Sequence, residues 1–273
     1  MNAWVGGSFG ERAQCVLADN ANIMTLDGTN TWVLREPGAK RAVVVDPGPP
    51  DAPHLAAIEA AAGLGDGGSI GTVLLTHHHY DHSESAKEFA ERWGCGVRAL
   101  DPEYRLGSEG LGDGDVVEVG GLEVRVIGTP GHTADSLSFL VPAEGAVLTG
   151  DTVLGRGTTV VAHPDGQLGA YLDSLDRLHQ LAARHELASI WPGHGPVIED
   201  ALGALDYYIS HRQQRLEQVR AALDTLAGQP HPEGIAEDDL PRQVVEIVYS
   251  DVDPVLWGAA ELSVRAQLAY LRA

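Results

Sequence analysis

The stretch LLTHHHYDHS, residues 74–83, places four histidines and an aspartate directly after an apolar run. An apolar run followed by polar residues predicts a buried strand that ends near His77. Side chains alternate along an extended strand end, so His77 and His79 point to one side and His78 points to the other. The alternation therefore predicts that only some of these histidines share one site.

The next residues turn the chain back toward the same place. Asp81 and His82 lie at a turn that enters a helix beginning near Ser83, where both side chains can face the first pair of histidines. His78 and Tyr80 are left facing away from these groups or lining a pocket rim. The pattern H-x-H-x-D-H thus predicts four ligands within six residues. Imidazole and carboxylate ligands suit a borderline ion such as zinc.

Further polar residues follow at the ends of later apolar strands. They are His132 in VIGTPGH, Asp151 in VLTGD and His194 in IWPGH. Ligands at strand ends converge at one sheet edge, where loops carry function on a rigid scaffold. Seven ligands exceed one closed site, so two metals with an open position for water are predicted. The ligands divide into two groups of three and one bridge: His77, His79 and His132; Asp81, His82 and His194; and Asp151 between them.

Composition limits the function classes. The chain has 273 residues, 44% of them apolar, which is typical of a globular protein with a sizeable core. Its 39 acidic and 18 basic residues give a formal net charge of −21, which opposes non-specific attraction to nucleic acid or anionic membranes. We find no signal-peptide pattern and no run of about 18 apolar residues. A soluble cytoplasmic protein without membrane contact is expected.

Strands and helices alternate along most of the chain. RAVVVDPG (41–48) is typical of a strand and AYLDSLDRLHQLAAR (170–184) of a helix. An α/β layered architecture follows, and the hairpin-like pair in 116–126 predicts mixed sheets.

The end of the chain predicts a small helical appendage. Apolar residues over 205–226 keep the four-three spacing of one helix face, interrupted by Arg212. The linker-like GQPHPEG follows, and then two more helices. We expect a catalytic unit over residues 1–227 and an appendage over 228–273. Three arginines against eight acidic residues in the appendage disfavour nucleic-acid binding and favour packing or a homodimer.

These motifs resemble those of the metallo-β-lactamase fold hydrolases. The matching segments are THHHYDH (76–82), TPGHT (129–133), TGD (149–151) and PGHG (192–195). Within that superfamily the chain is most similar to the β-lactamase-like protein 2 endoribonuclease group. The stretches that carry this second resemblance are LDGTNTWVL (26–34), GDTVLGRGTTVV (150–161), WPGHGPVI (191–198) and YISHRQQRLEQV (208–219).

The resemblance implies an αβ/βα sandwich with a two-zinc site along its edge. It also implies a C-terminal region like a winged helix, here without a β-wing. Iron and manganese are alternatives to zinc. Class B β-lactamases place a cysteine among their zinc ligands, whereas Cys15 and Cys95 lie far from every motif. Antibiotic hydrolysis is therefore not expected.

Three functions follow as hypotheses. The first is a dinuclear zinc hydrolase in which a metal-bridging hydroxide cleaves phosphodiester bonds of single-stranded RNA, with Asp81 orienting the water and accepting its proton. The choice of RNA rests on the resemblance. The second is a hydrolase of small molecules, either a thioester, as in hydroxyacylglutathione hydrolases, or a lactone. The third is a non-catalytic zinc-binding interaction protein.

Three residues are predicted to contact substrate. Arg212 either pairs with a surface carboxylate or supports the metal loop or a substrate phosphate with its planar guanidinium. Asn30, in the loop 28–31, and Thr158, in the stretch 157–159, offer hydrogen bonds to substrate. The preference for these two rests on the family resemblance, because glycine-threonine stretches also form ordinary turns.

Overall fold

The first half of the chain forms a six-stranded mixed sheet. The computed structural model describes residues 3–227 and 239–273. The strands of the first sheet are β1 (Gly7–Phe9), β2 (Ala13–Leu17), β3 (Asn30–Leu34), β4 (Arg41–Val45), β5 (Ser69–Leu74) and β6 (Val97–Arg98). They lie side by side in chain order, antiparallel up to β4 and parallel from β4 to β6. Helices α1 (Ala52–Ala61), α2 (Tyr80–Ser83) and α3 (Ala86–Arg92) connect the parallel strands.

The second sheet has five strands. They are β7 (Val116–Val119), β8 (Leu122–Gly128), β9 (Leu137–Val141), β10 (Ala146–Gly150) and β11 (Ser189–Pro192), in the spatial order β11-β10-β9-β8-β7. The predicted hairpin pair is β7 with β8. Helix α4 (Leu168–His185) connects β10 to its parallel neighbour β11, and α5 (Ala201–Ala227) follows.

The two sheets pack face to face, and helices cover their outer faces. Trp32 of β3 and Trp191 of β11 stack between the sheets, with ring centroids 4.9 Å apart. Strands β3, β9 and β10 are buried at every residue, which is expected of strands covered on both faces. Ile58 of α1 and Phe89 of α3 pack on the outside of the first sheet, and α4 and α5 pack on the second. The αβ/βα sandwich is therefore confirmed.

Helix α4 illustrates how the sequence encodes these layers. Its buried residues recur at three and four positions, which is one face of an α-helix: Leu168, Tyr171, Leu175, Leu178 and Ala182. The helix ends at His185, and the capping residue that follows, Glu186, has a left-handed φ of 48°. The strand β1 is an element that the sequence did not indicate, because three residues flanked by glycines carry little periodicity.

The C-terminal helices pack on the end of α5. They are α6 (Leu240–Val248) and α7 (Trp257–Arg272), joined through a 3-10 turn at Pro254–Leu256. Val219 of α5, Val244 of α6 and Val264 of α7 are fully buried in one cluster. Residues 239–273 contain no strand. The boundary expected near residue 228 lies outside the described residues, so the division into two domains stays a prediction.

No helix in the described ranges combines the length and the apolar composition needed to cross a membrane.

Candidate metal centre

The strand ends bring the seven predicted ligands to one edge of the sandwich. His77 and His79 follow β5, His132 follows β8, Asp151 directly follows β10, and His194 follows β11. Asp81 and His82 lie within the single turn of α2, so the helix begins at Tyr80 and not near Ser83 as expected. This earlier start places both side chains in one helical turn, which returns them toward the strand end.

The first group consists of three imidazoles. Nδ1 of His79 lies 3.0 Å from Nε2 of His77 and 3.1 Å from Nε2 of His132. His77 and His132 are 2% and 8% exposed. Burial lowers the pKa of all three, that of His79 to about 4, so these rings are neutral and can act as ligands.

The second group contains Asp81, His82 and His194. The Nε2 atoms of the two histidines are 3.3 Å apart. Oδ2 of Asp81 lies 3.1 Å from Nε2 of His194 and 3.4 Å from Nε2 of His82. These three ligand atoms are thus close enough to share one ion.

Asp151 lies between the two groups. Its carboxylate oxygens are 3.7 Å from Nε2 of His132, 3.3 Å from Nε2 of His194 and 3.5 Å from Nε2 of His82. Its buried Oδ1 has no hydrogen-bond partner among the described residues. A buried carboxylate oxygen without a donor is costly, and a cation in contact with it removes that cost.

Hydrogen bonds behind the rings fix their orientation. Nδ1 of His82 donates to Asp46 at 2.9 Å, Nδ1 of His132 to the Val160 carbonyl at 2.8 Å, and Nδ1 of His194 to the Gly28 carbonyl at 3.1 Å. Nδ1 of His77 lies 2.9 Å from the Thr76 hydroxyl. Such partners hold the proton on Nδ1 and direct the Nε2 lone pair inward, which is how histidines are arranged around metals. The donor set therefore fits a pair of divalent cations.

Asp46 is a residue of this site that the sequence reasoning missed. It follows β4 with a left-handed φ of 52° and is 2% exposed. Its carboxylate accepts from His82 and also from the Thr76 amide and hydroxyl, at 2.8 and 2.6 Å. Asp46 thus supports His82 directly and supports His77 through the Thr76 hydroxyl. The signal was available, because Asp46 in RAVVVDPG is a strand-end polar residue like the others.

Electrostatics separates the second group from the first. Burial lowers the pKa of His194, but the carboxylates of Asp151 and Asp81 outweigh it and raise the pKa to about 9. The same carboxylates raise the pKa of His82 despite its burial. The carboxylates of Asp81 and Asp151 thus stabilise positive charge next to His82 and His194. Protons on the two rings supply this charge in the metal-free protein, and a divalent cation can supply it instead.

A cavity of about 730 Å³ opens over both groups. Six residues of the metal-centre region contribute to its wall: His79, Tyr80, Asp81, His132, Asp151 and His194. The remainder comes from three segments of the described chain: residues 22–26, residues 154–160 and Leu256. The site is therefore accessible to a small molecule from one side.

The three predicted substrate contacts have different environments. Thr158 lines the cavity. Asn30 is fully buried, and its amide donates to the carbonyls of Pro192 and Gly195 at 2.9 and 2.8 Å. A substrate cannot reach it, so the expectation for Asn30 is corrected: it positions the loop that carries His194.

Arg212 is also corrected as a substrate contact. It is 4% exposed, lies 4.8 Å from the Tyr171 ring centroid and donates to the Thr159 carbonyl at 2.6 Å. Burial keeps it from both a surface carboxylate and a substrate phosphate. It supports the loop next to Val160, whose carbonyl accepts from His132.

His78 and Tyr80 belong to neither group of candidate ligands. Nδ1 of His78 pairs with Asp135 at 2.8 Å. Tyr80 is 74% exposed and lines the cavity.

Comparison with known proteins agrees with the fold and the motifs. Residues 24–194 match the model of the metallo-beta-lactamase superfamily. Among curated proteins, the chain is 32% identical to the Beta-lactamase-like protein 2 homolog of Drosophila melanogaster, over 94% of this chain and 86% of that protein. It is 36% identical to the Atrochrysone carboxyl ACP thioesterase of Aspergillus fumigatus, over 77% of this chain and 64% of that protein.

Solved structures show the same fold. A metallo-beta-lactamase family protein from Thermus thermophilus superposes with a TM-score of 0.73 at 24% identity, covering 95% of this chain and 93% of that one. A beta-lactamase domain protein from Burkholderia ambifaria gives 0.76 at 21% identity, covering 98% and 87%. The chain therefore belongs to the metallo-beta-lactamase superfamily, whose members are generally hydrolases that bind divalent metals.

Proposed function

We propose that this protein is a dinuclear zinc hydrolase that cleaves activated acyl bonds, namely thioesters or lactones. The observation that carries the proposal is the wall of the cavity beside the metal centre. Six large aliphatic side chains contribute to it: Ile23, Met24, Leu26, Leu154, Val160 and Leu256. An apolar wall next to a few convergent polar groups suits a substrate with an apolar body and one reactive carbonyl.

The charge around the cavity supports an acyl substrate over a nucleic acid. Among the described residues that line it, Arg156 is the only arginine or lysine, and it pairs with Asp27. Binding of a nucleic-acid strand depends on several cations that contact successive phosphates. The net charge of −21 adds to the repulsion.

The residues of the site then have defined roles. Two bound zinc ions would supply Lewis acidity and an activated water at neutral pH. His77, His79 and His132 would hold one ion and Asp81, His82 and His194 would hold the other, and the Asp151 carboxylate lies between the two groups. Five imidazoles and two carboxylates suit zinc, with iron and manganese as the alternatives.

Asp81 is the residue that we propose accepts the proton. Its side chain is 30% exposed toward the cavity, and its Oδ2 lies 3.3 Å from the Thr29 hydroxyl, which can donate to it. Burial raises the pKa of Asp81, but His82 and His194 outweigh it and lower the pKa to about 2. The carboxylate is therefore ionised at neutral pH and can accept a proton from the attacking water.

A second candidate is cleavage of single-stranded RNA. It is favoured by the motifs shared with the β-lactamase-like protein 2 group and by the alignment over 94% of the chain with the Drosophila protein of that name. The similarity to a thioesterase, over 77% of the chain, favours the acyl reaction.

A substrate panel on zinc-loaded protein separates the two candidates. We expect hydrolysis of N-acetylcysteamine thioesters or lactones, no cleavage of a labelled single-stranded RNA, and loss of at least about 100-fold in kcat for Asp81→Asn. Asp173→Asn, an exposed aspartate on α4, serves as the matched control and keeps full activity. Cleavage of RNA with no turnover of any acyl substrate would overturn the proposal.

A further inference from the structure

The cavity beside the metal centre has an apolar wall built from two distant parts of the chain. Residues 22–26 come from the loop before β3, and Leu256 comes from the turn between α6 and α7. Leu256 is the one lining residue contributed by residues 239–273. The turn between the two C-terminal helices therefore contributes a side chain to the cavity wall.

The side chains around this wall are exposed to an unusual degree. Ile23 is 52% exposed and Met24 is 49% exposed. Exposed aliphatic side chains that cluster beside a polar centre mark a binding surface more often than scattered ones do. A ligand that covers them would be stabilised by removing apolar area from water.

Local hydrogen bonds hold the loop of the wall in place. The Asn22 side chain accepts from the amides of Met24 and Thr25 at 2.7 and 3.2 Å. The Thr25 hydroxyl donates to the Asn20 carbonyl at 2.6 Å. The loop thus presents Ile23 and Met24 outward as part of an ordered turn.

The turn that carries Leu256 is anchored as well. The Asp253 side chain accepts from the Val255 amide at 3.0 Å, and the Trp257 indole donates to the Val252 carbonyl at 3.0 Å. Ala266 of α7 packs in the cluster formed by α4 and α5. Leu256 is therefore fixed relative to the sandwich that carries the metal centre.

We propose that the apolar acyl chain of the substrate binds between residues 22–26 and Leu256, so that the C-terminal helices set the preferred acyl-chain length. This inference rests on the proposed acyl hydrolysis and adds the substrate class: an uncharged medium-length acyl group. The carbonyl end lies at the metal centre and the hydrocarbon end extends along Ile23, Met24 and Leu256. The described lining offers a carrier portion with several phosphates only Arg156, which already pairs with Asp27, so a neutral thiol portion is preferred.

The test measures chain-length dependence both in turnover and in binding. The zinc-loaded full chain is assayed with N-acetylcysteamine thioesters from acetyl to decanoyl. Binding of the corresponding non-hydrolysable alkyl thioethers is measured by calorimetry. The variants are Leu256→Ala and Met24→Gln, with Val255→Ala as the neighbouring control that does not line the cavity. Zinc content and thermal unfolding verify that each variant is folded and loaded.

We expect kcat/KM and thioether affinity to rise about two- to fourfold per methylene in the wild type until the wall is covered. Leu256→Ala lowers the decanoyl-to-acetyl ratio about five- to tenfold, and Val255→Ala leaves it unchanged. Turnover with a flat chain-length profile, or an unchanged ratio in Leu256→Ala, overturns the acyl-chain site while the hydrolase proposal stands. Length-dependent thioether binding that Leu256→Ala weakens, without turnover of any thioester in this series or of any lactone in the substrate panel, overturns the hydrolase proposal while the binding site stands. Absence of both overturns both.

Discussion

The Nε2 atoms of His82 and His194 face each other across 3.3 Å. Behind the rings, Nδ1 of His82 donates to Asp46 and Nδ1 of His194 donates to the Gly28 carbonyl. In the neutral rings both Nε2 lone pairs therefore point into the same space, beside the Asp81 carboxylate. Two lone pairs and a carboxylate repel each other unless a cation lies between them.

Asp46 is expected to control the affinity of the second group. Asp46→Asn removes the negative charge behind His82, and we expect the zinc affinity of the second group to fall about 10- to 100-fold. Competition with a chromophoric chelator measures both zinc affinities. Asp173→Asn changes an exposed aspartate and serves as the control. Equal affinities in Asp46→Asn and the wild type would show that Asp46 does not support the ligand.

The neighbouring histidines His78 and His79 offer a matched pair. His79→Ala removes a ligand of the first group, so we expect about one zinc per chain or fewer by elemental analysis. His78→Ala breaks the pair with Asp135 but removes no predicted ligand, so two zinc ions per chain should remain. Loss of zinc in His78→Ala, with retention in His79→Ala, would reverse the assignment made from strand alternation.

The architecture and the strand-end positions of the predicted ligands could be predicted from the sequence because both depend on local periodicity. Alternation at the end of β5 separates His77 and His79 from His78, and the strand-end pattern identifies the distant ligands. Contacts that depend on tertiary burial are harder to predict from the sequence. Asn30 and Arg212 have polar side chains in motifs typical of a site, yet both are buried under it. Nothing in a linear sequence distinguishes a polar group that faces substrate from one that supports the loop behind it.

Arg212 is expected to stabilise the loop that holds His132. Arg212→Met removes a charge-assisted hydrogen bond to the Thr159 carbonyl, and we expect the free energy of unfolding to fall by about 1.5–3 kcal/mol. Zinc affinity of the first group should fall as well, because Val160 next to Thr159 accepts from His132. Urea unfolding and chelator competition measure the two effects. Arg220→Met, an exposed arginine on the same helix, should change stability by less than about 0.5 kcal/mol. An equally small effect in Arg212→Met would refute the supporting role.

His211 is expected to make the protein less stable in acid. Burial, together with Arg212 and Arg215, lowers its pKa to about 4, whereas the unfolded chain has the ordinary value of about 6.5. The unfolded state therefore binds the proton first, so stability present above about pH 6.5 is lost progressively as the pH falls toward 4.

The comparison variant for this effect is His211→Gln. Because His211 is only partly buried, we expect its share of the loss between pH 8 and pH 5 to be about 1 kcal/mol, and His211→Gln should lose that much less than the wild type. Urea unfolding of metal-free protein at the two pH values gives the difference, in which the shared metal-site histidines cancel. Parallel pH dependence in both proteins would contradict the prediction.

The grouping of ligands around two ions is tested most directly by diffraction at the zinc absorption edge from crystals of the zinc-loaded protein. We predict two anomalous peaks. The zinc ion at one peak is expected to be bound by His77, His79 and His132. The zinc ion at the other is expected to be bound by Asp81, His82 and His194, with Asp151 in contact with both ions. A single closed four-ligand zinc, or a second peak that Asp81 and His194 do not contact, would contradict the account.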